Sequence, residues 1–129
     1  MQILSLDIGL KRIGVAISQD ENIVTPLEAV IRRNRNQASD DVKKIINEWK
    51  IEKLIIGLPD TSSKDEMYRR FSHFVKLLNL DSSVEVIYQD EDYSSVEAME
   101  LMKGEIKFKK DGRLDSLSAK IILDRYLEK

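Results

Sequence analysis

Residues 3–8 alternate in a way that the strand period resolves into two faces, with Ile3, Ser5 and Asp7 on one and Leu4, Leu6 and Ile8 on the other. A short Gly9-Leu10-Lys11 loop leads into a second strand, Arg12–Ser18. After the polar Gln19-Asp20-Glu21-Asn22 turn a third strand runs Thr25–Arg32. Two tight connections in succession predict an antiparallel three-strand meander. The period then lengthens: Val42, Ile45, Ile46 and Trp49 fall at helical spacing, predicting a helix over 37–49 capped by Asn36 or Ser39. Lys53–Gly57 carries Leu54, Ile55 and Ile56 without polar alternation, the pattern of a strand buried on both faces. Met67, Phe71, Phe74 and Leu78 stripe a second helix, with His73 off the stripe, and Val84–Gln89 is a further strand. Ser94-x-x-Glu97 reads as a capping box that opens a helix reaching Lys103 and stopping at Gly104. A last helix runs from Leu114 or Asp115 to Leu127, with Asp115, Ala119, Ile122 and Tyr126 on one stripe.

This order predicts an α/β fold in one domain over residues 1–129, a five-stranded mixed sheet flanked by helices. The meander supplies the antiparallel strands, and the two helix-linked strands lie parallel to the first through right-handed crossovers. Ligands of such sheets gather at the carboxyl ends of strands near the point where strand order reverses. Asp7 ends the first strand, and Asp90 and Glu91 end the last, so the topology can bring these carboxylates together.

A chain of 129 residues buries roughly two-thirds of its unfolded surface, enough for a core without staples. It contains no cysteine, which excludes disulfides, thiolate metal sites and a thiol nucleophile. No signal-peptide pattern and no run of membrane-spanning length is visible, so a soluble, cytoplasmic protein is expected. Charged residues make up 34% of the chain at a net charge of -2, which leaves nucleic-acid binding to local patches. Arg32, Arg33 and Arg35 form one run and Lys107, Lys109, Lys110 and Arg113 another; each taken alone reads first as a solvated loop.

Asp7 followed by Gly9 reads locally as a turn-forming pair. Set on a strand face, however, an ionised carboxylate needs a cation, whether Lys11, Arg12 or a metal. Carboxylates without thiols or a placed histidine suit Mg²⁺ or Mn²⁺. Two such ions can activate water and stabilise a leaving oxygen in phosphodiester cleavage.

The run Leu6-Asp7-Ile8-Gly9-Leu10-Lys11-Arg12-Ile13-Gly14-Val15-Ala16-Ile17-Ser18 resembles the opening motif of the YqgF/RuvX family, Holliday junction resolvases also assigned to pre-16S rRNA processing. Ile55-Ile56-Gly57-Leu58-Pro59, Asp90-Glu91 with Ser94-Ser95-Val96-Glu97-Ala98, and Leu114-Asp115-Ser116-Leu117-Ser118-Ala119 continue it in order over essentially the whole chain. The resemblance implies an RNase H-like fold and a nuclease whose acids are Asp7, Glu91 and Asp115, holding Mg²⁺ or Mn²⁺. The strand pattern itself is neutral between Asp90 and Glu91. Asp115 would otherwise read as a helix-capping acid. Lys11, Arg12, Lys109, Lys110 and Arg113 are expected on the nucleic-acid backbone.

The chain departs from the family in Asp92, where arginine is usual, in the shortened Asp60-Thr61-Ser62-Ser63 loop, and in Ser94-Ser95 and Ser118-Ala119 for the usual Thr-Thr and Ala-Ala pairs. The expected substrate is structured nucleic acid, with the precursor end of 16S rRNA preferred to branched DNA. Junction resolution needs two coordinated cuts and hence a homodimer, which no motif demonstrates. Asp92 and the acidic net charge motivate a second reading, a ribosome-assembly module with weak chemistry. An actin-like ATPase ranks last, because the chain is far too short for the two lobes that clamp a nucleotide.

Overall fold

A computed structural model describes residues 1–58, 64–90 and 113–128, with the description confined to the backbone at 64, 90 and 113–115. The elements are β1 (Ile3–Ile8), β2 (Arg12–Ser18), β3 (Thr25–Ile31), α1 (Arg35–Glu48), β4 (Lys53–Leu58), α2 (Lys64–Leu78), β5 (Glu85–Asp90) and α3 (Arg113–Leu127). They build the expected five-stranded sheet in the order β3-β2-β1-β4-β5. β1 pairs antiparallel with β2 and β2 with β3, while β4 lies parallel to both β1 and β5. The helix expected over Ser94–Lys103 and the loop Asp60–Ser63 lie outside the described residues.

The period-2 pattern of β1 sorts the helices. Leu4, Leu6 and Ile8 join Val15, Ile17, Leu54 and Ile56 in a core closed by Val42 and Ile46 of α1 and by Phe71, Phe74 and Leu78 of α2. On the other face Ile3 and Ile55 pack with Ile122 and Leu123 of α3, and α3 lies across β1, β2 and β3. β4 is the central parallel strand, and Leu54, Ile55 and Ile56 are all fully buried, as their unbroken apolar run implies.

α1 begins earlier than its apolar spacing suggests, because the cap is Asn34. Its side chain accepts from Gln37 N at 2.8 Å, and Gln37 Oε1 in turn accepts from Asn34 N. That reciprocal pair satisfies two orphan donors of the first turn, which Asn36 or Ser39 alone would not. Trp49 is the C-cap and packs half-buried against the larger core. Among the described residues no helix is long and apolar enough to cross a membrane.

Candidate active site

Asp7 is half-buried in the last turn of the β1 pleat, on the face that α3 covers. Its partner across β2 is Gly14, and at Gly14 the β2–β3 register shifts between Ile13 and Val15. On the other flank Leu6 pairs with Ile56, so the next β4 residue, buried Gly57, runs beside Asp7; Gly57 itself pairs with Gln89 of β5. The positions directly flanking Asp7 on the two neighbouring strands are therefore both glycines. A bulge and two glycines at one strand end are a means of opening room for a ligand in an otherwise close-packed sheet.

α3 runs antiparallel to β1, in a register set by small polar contacts. Ile3 lies with Ile122 and Leu123, and two residues on, buried Ser5 donates its Oγ proton to Ala119 O at 2.7 Å. Nearer the helix start, Ser116 Oγ donates to Leu27 O at 2.6 Å and accepts from Val15 N at 3.5 Å. The backbone of residue 115 thus occupies the first turn of α3, at the same end of the sheet as Asp7. Ser116, Ser118 and Ala119 are all buried, and their small side chains let the helix lie close to the sheet.

The β1–β2 turn is held from two sides. Gly9 N donates to Arg12 O at 3.0 Å, and a Cβ on Gly9 would meet that oxygen at 2.7 Å, so the turn requires glycine. Arg32 is not the solvated cation that its sequence surroundings suggest. It is half-buried, its Nη1 donates to Gly9 O at 2.9 Å, and its guanidinium lies 5.9 Å from the Phe74 ring centroid. Arg32 N also donates to Lys11 O at 2.8 Å. One side chain therefore ties the turn after Asp7 to β3 and α2, a role its place in an arginine run conceals. Lys11 is exposed and Arg12 half-buried on this turn.

At the end of β5, Ile87 packs with the α3 cluster and Val86 and Tyr88 with the α1/α2 core. Position 90 shares the register of Val86 and Tyr88, and buried Gln89 that of Ile87. Tyr88 carries a hydroxyl whose pKa is pushed up by burial, opposed by its hydrogen bond with Ser72 at 3.2 Å. His73 is exposed. Glu91, Asp92, Lys109 and Lys110 lie outside the described residues, as do the side chains of Asp90, Arg113 and Asp115. Among the described residues no three acids or histidines come together; the Asp7 carboxylate is a hard oxygen donor of the type Mg²⁺ and Mn²⁺ accept.

The sheet order and flanking helices are those of the RNase H-like fold shared by the RuvC-like resolvases. Thermus thermophilus RuvC, solved with a Holliday junction substrate, superposes with a TM-score of 0.59 at 11% identity, covering 98% of this chain and 94% of that one. The fowlpox virus Holliday junction resolvase does so with a TM-score of 0.58 at 17% identity over 99% of both chains. The chain belongs to the RuvX (YqgF) family, whose model, described as "RuvX: Holliday junction resolvase", matches residues 1–129. A relative from Sulfurovum sp. (strain NBC37-1), named "Putative pre-16S rRNA nuclease", is 54% identical over 98% of each chain. A Helicobacter pylori (strain Shi470) protein of the same name is 45% identical, over 98% of this chain and 95% of its own.

Proposed function

We propose that this chain is a metal-dependent endonuclease that hydrolyses phosphodiester bonds in structured nucleic acid, with the 5′ precursor end of 16S rRNA as its substrate. Asp7, Glu91 and Asp115 would hold Mg²⁺ or Mn²⁺, which when bound activates water and stabilises the leaving oxygen. The observation that carries this reading is the α3 register. From Ser5 to Asp7 β1 advances about 6.6 Å, and from Ala119 back to Asp115 one helical turn covers about 6 Å, so the Ser5–Ala119 contact extrapolates to residue 115 opposite Asp7. The alternation of Ile87 and Gln89 supports Glu91 over Asp90 as the β5 acid, since it continues the register of the α3 face. Gly14 and Gly57 leave space beside Asp7 for metal and phosphate.

In this reading the chain's residues bind and orient. Lys11 and Arg12 on the β1–β2 turn face the phosphate next to the cut, and Lys109, Lys110 and Arg113 hold the backbone on the far side through salt-sensitive contacts. Arg32 keeps the turn in place. The test is cleavage of a precursor 16S RNA and of a four-way DNA junction by the native chain and by Asp7→Asn, with Mg²⁺ and with Mn²⁺. Metal-dependent cutting of the RNA by the native chain alone is expected; equal cutting by both proteins defeats the site assignment. The family description favours a second reading, junction resolution, which requires a homodimer; preferential paired cutting of the junction by a dimeric species would establish it instead.

A further inference from the structure

Where β3 leaves the sheet it runs beside the β1–β2 turn: Arg12 pairs with Ile31, and Arg32 N donates to Lys11 O at 2.8 Å. Arg33 and Arg35 therefore emerge from the flank of the turn that follows Asp7. Their backbone is fixed, since Gln37 Oε1 accepts from Arg33 N at 2.8 Å and Asn34 caps α1. Lys11, Arg33 and Arg35 are all exposed, and none of them makes an ion pair among the described residues. Helix stability does not explain the two arginines. The start of a helix favours acids over cations, and the first turn of α1 contains no acid. Nor does an overall basic bias, because the chain's net charge is -2.

Three exposed cations without an ion pair among the described residues, on a braced corner continuous with the turn beside Asp7, match a phosphodiester backbone. β3 stands two strands from β1, or about 10 Å at the usual strand spacing, and one strand of B-form DNA advances about 3.4 Å per nucleotide, so the separation spans a few nucleotides of a paired stem. We propose that Arg33 and Arg35, with Lys11 between them and Asp7, hold the backbone of a paired stem about three nucleotides from the bond that is cut. This extends the nuclease reading above and rests on it.

The test measures binding of a labelled RNA hairpin carrying the 5′ precursor end of 16S rRNA between 50 and 200 mM salt, in an Asp7→Asn background that prevents cutting. Arg33→Gln/Arg35→Gln is compared with Lys44→Gln/Lys50→Gln, which removes the same charge from exposed positions elsewhere on and after α1. The arginine pair should lower the slope of log affinity against log salt by about 2 and weaken binding about tenfold, with an unchanged melting temperature. The lysine pair should leave the slope as it was. An unchanged slope for the arginine variant, or an equal drop for the lysine variant, overturns the proposal. Cleavage by the otherwise native chain separates the failures: native cutting with no arginine effect rejects only this surface, whereas absence of binding and cutting by the native chain rejects the nuclease reading and this inference with it.

Discussion

The two faces of the sheet are built on opposite principles. Against α1 and α2 the sheet presents Leu4, Leu6, Ile8, Val15, Leu54 and Ile56, a continuous apolar surface. Against α3 it changes along β1 from Ile3 through Ser5 to Asp7, and the helix answers with Leu123 and Ile122, then Ala119, then Ser116. The first face holds the fold together by burial. The second gives up apolar area toward one end, where a carboxylate sits at a strand terminus between two glycines, at the end of the sheet where α3 begins.

Substitutions on the two faces should therefore fail in different ways. Asp7→Asn should reduce cleavage on the order of 10³-fold, the scale for losing one preorganised charge at a reacting centre, while its melting temperature stays within a few degrees of the native value. Leu6→Ala, one residue away on the other face and fully buried, should lower unfolding free energy by about 2–5 kcal/mol in urea titration, with the surviving folded fraction still active. If Asp7→Asn unfolds the protein or Leu6→Ala abolishes turnover per folded molecule, the division of labour is wrong. Ser5→Leu would overpack the close contact with Ala119 and should cost about 1–3 kcal/mol; by lifting the start of α3 it should also lower activity, which sharpens the role given to the helix register.

Two smaller effects probe the supports. Arg32→Leu keeps bulk against Phe74 but removes the donor to Gly9 O, and a loss of about 1–2 kcal/mol is expected together with reduced cleavage. Unchanged cleavage would show that the turn holds its shape without the arginine. At the far end of the sheet Lys53 Nζ donates to Tyr126 OH at 2.8 Å, which raises the lysine pKa above its ordinary 10.5. The folded chain then holds this proton more tightly than the unfolded one. The contact's contribution is complete below about pH 10.5 and disappears as pH rises through the folded value. Tyr126→Phe should accordingly flatten the decline of the urea midpoint as pH rises above about 10.5, without altering cleavage at pH 7.5.

The fold was legible because its signals were periodic. The Leu4/Leu6/Ile8 alternation, the apolar Leu54–Ile56 run and the Phe71/Phe74/Leu78 stripe each determine which surface must be buried, and the observed sheet has the expected number of strands and the expected directions. Element ends were less legible, since they depend on single hydrogen bonds: Asn34 outcompetes Asn36 and Ser39 as the cap through its reciprocal bond with Gln37, not through any apolar spacing. Of the candidate site, Asp7 reads locally as a turn former and is singled out only by its strand face, the sheet topology and the family resemblance; the contact that ties β1 to α3 spans Ser5 and Ala119, far apart in sequence, and no local pattern announces it. Arg32 was hidden for a related reason. Its partners Gly9 and Phe74 come from different elements, and a run of arginines looks the same whether one of them is clamped or all are solvated.

On the nuclease reading the α3 face converges on one cation site at the end of β1. This convergence is tested most directly by the anomalous signal of a crystal soaked in Mn²⁺. A metal is expected at coordination distance, about 2.0–2.3 Å, from the Asp7 carboxylate and shared with Glu91 and Asp115. Mn²⁺ bound elsewhere with the Asp7 carboxylate uncoordinated, or no Mn²⁺ bound at millimolar concentration, would contradict it.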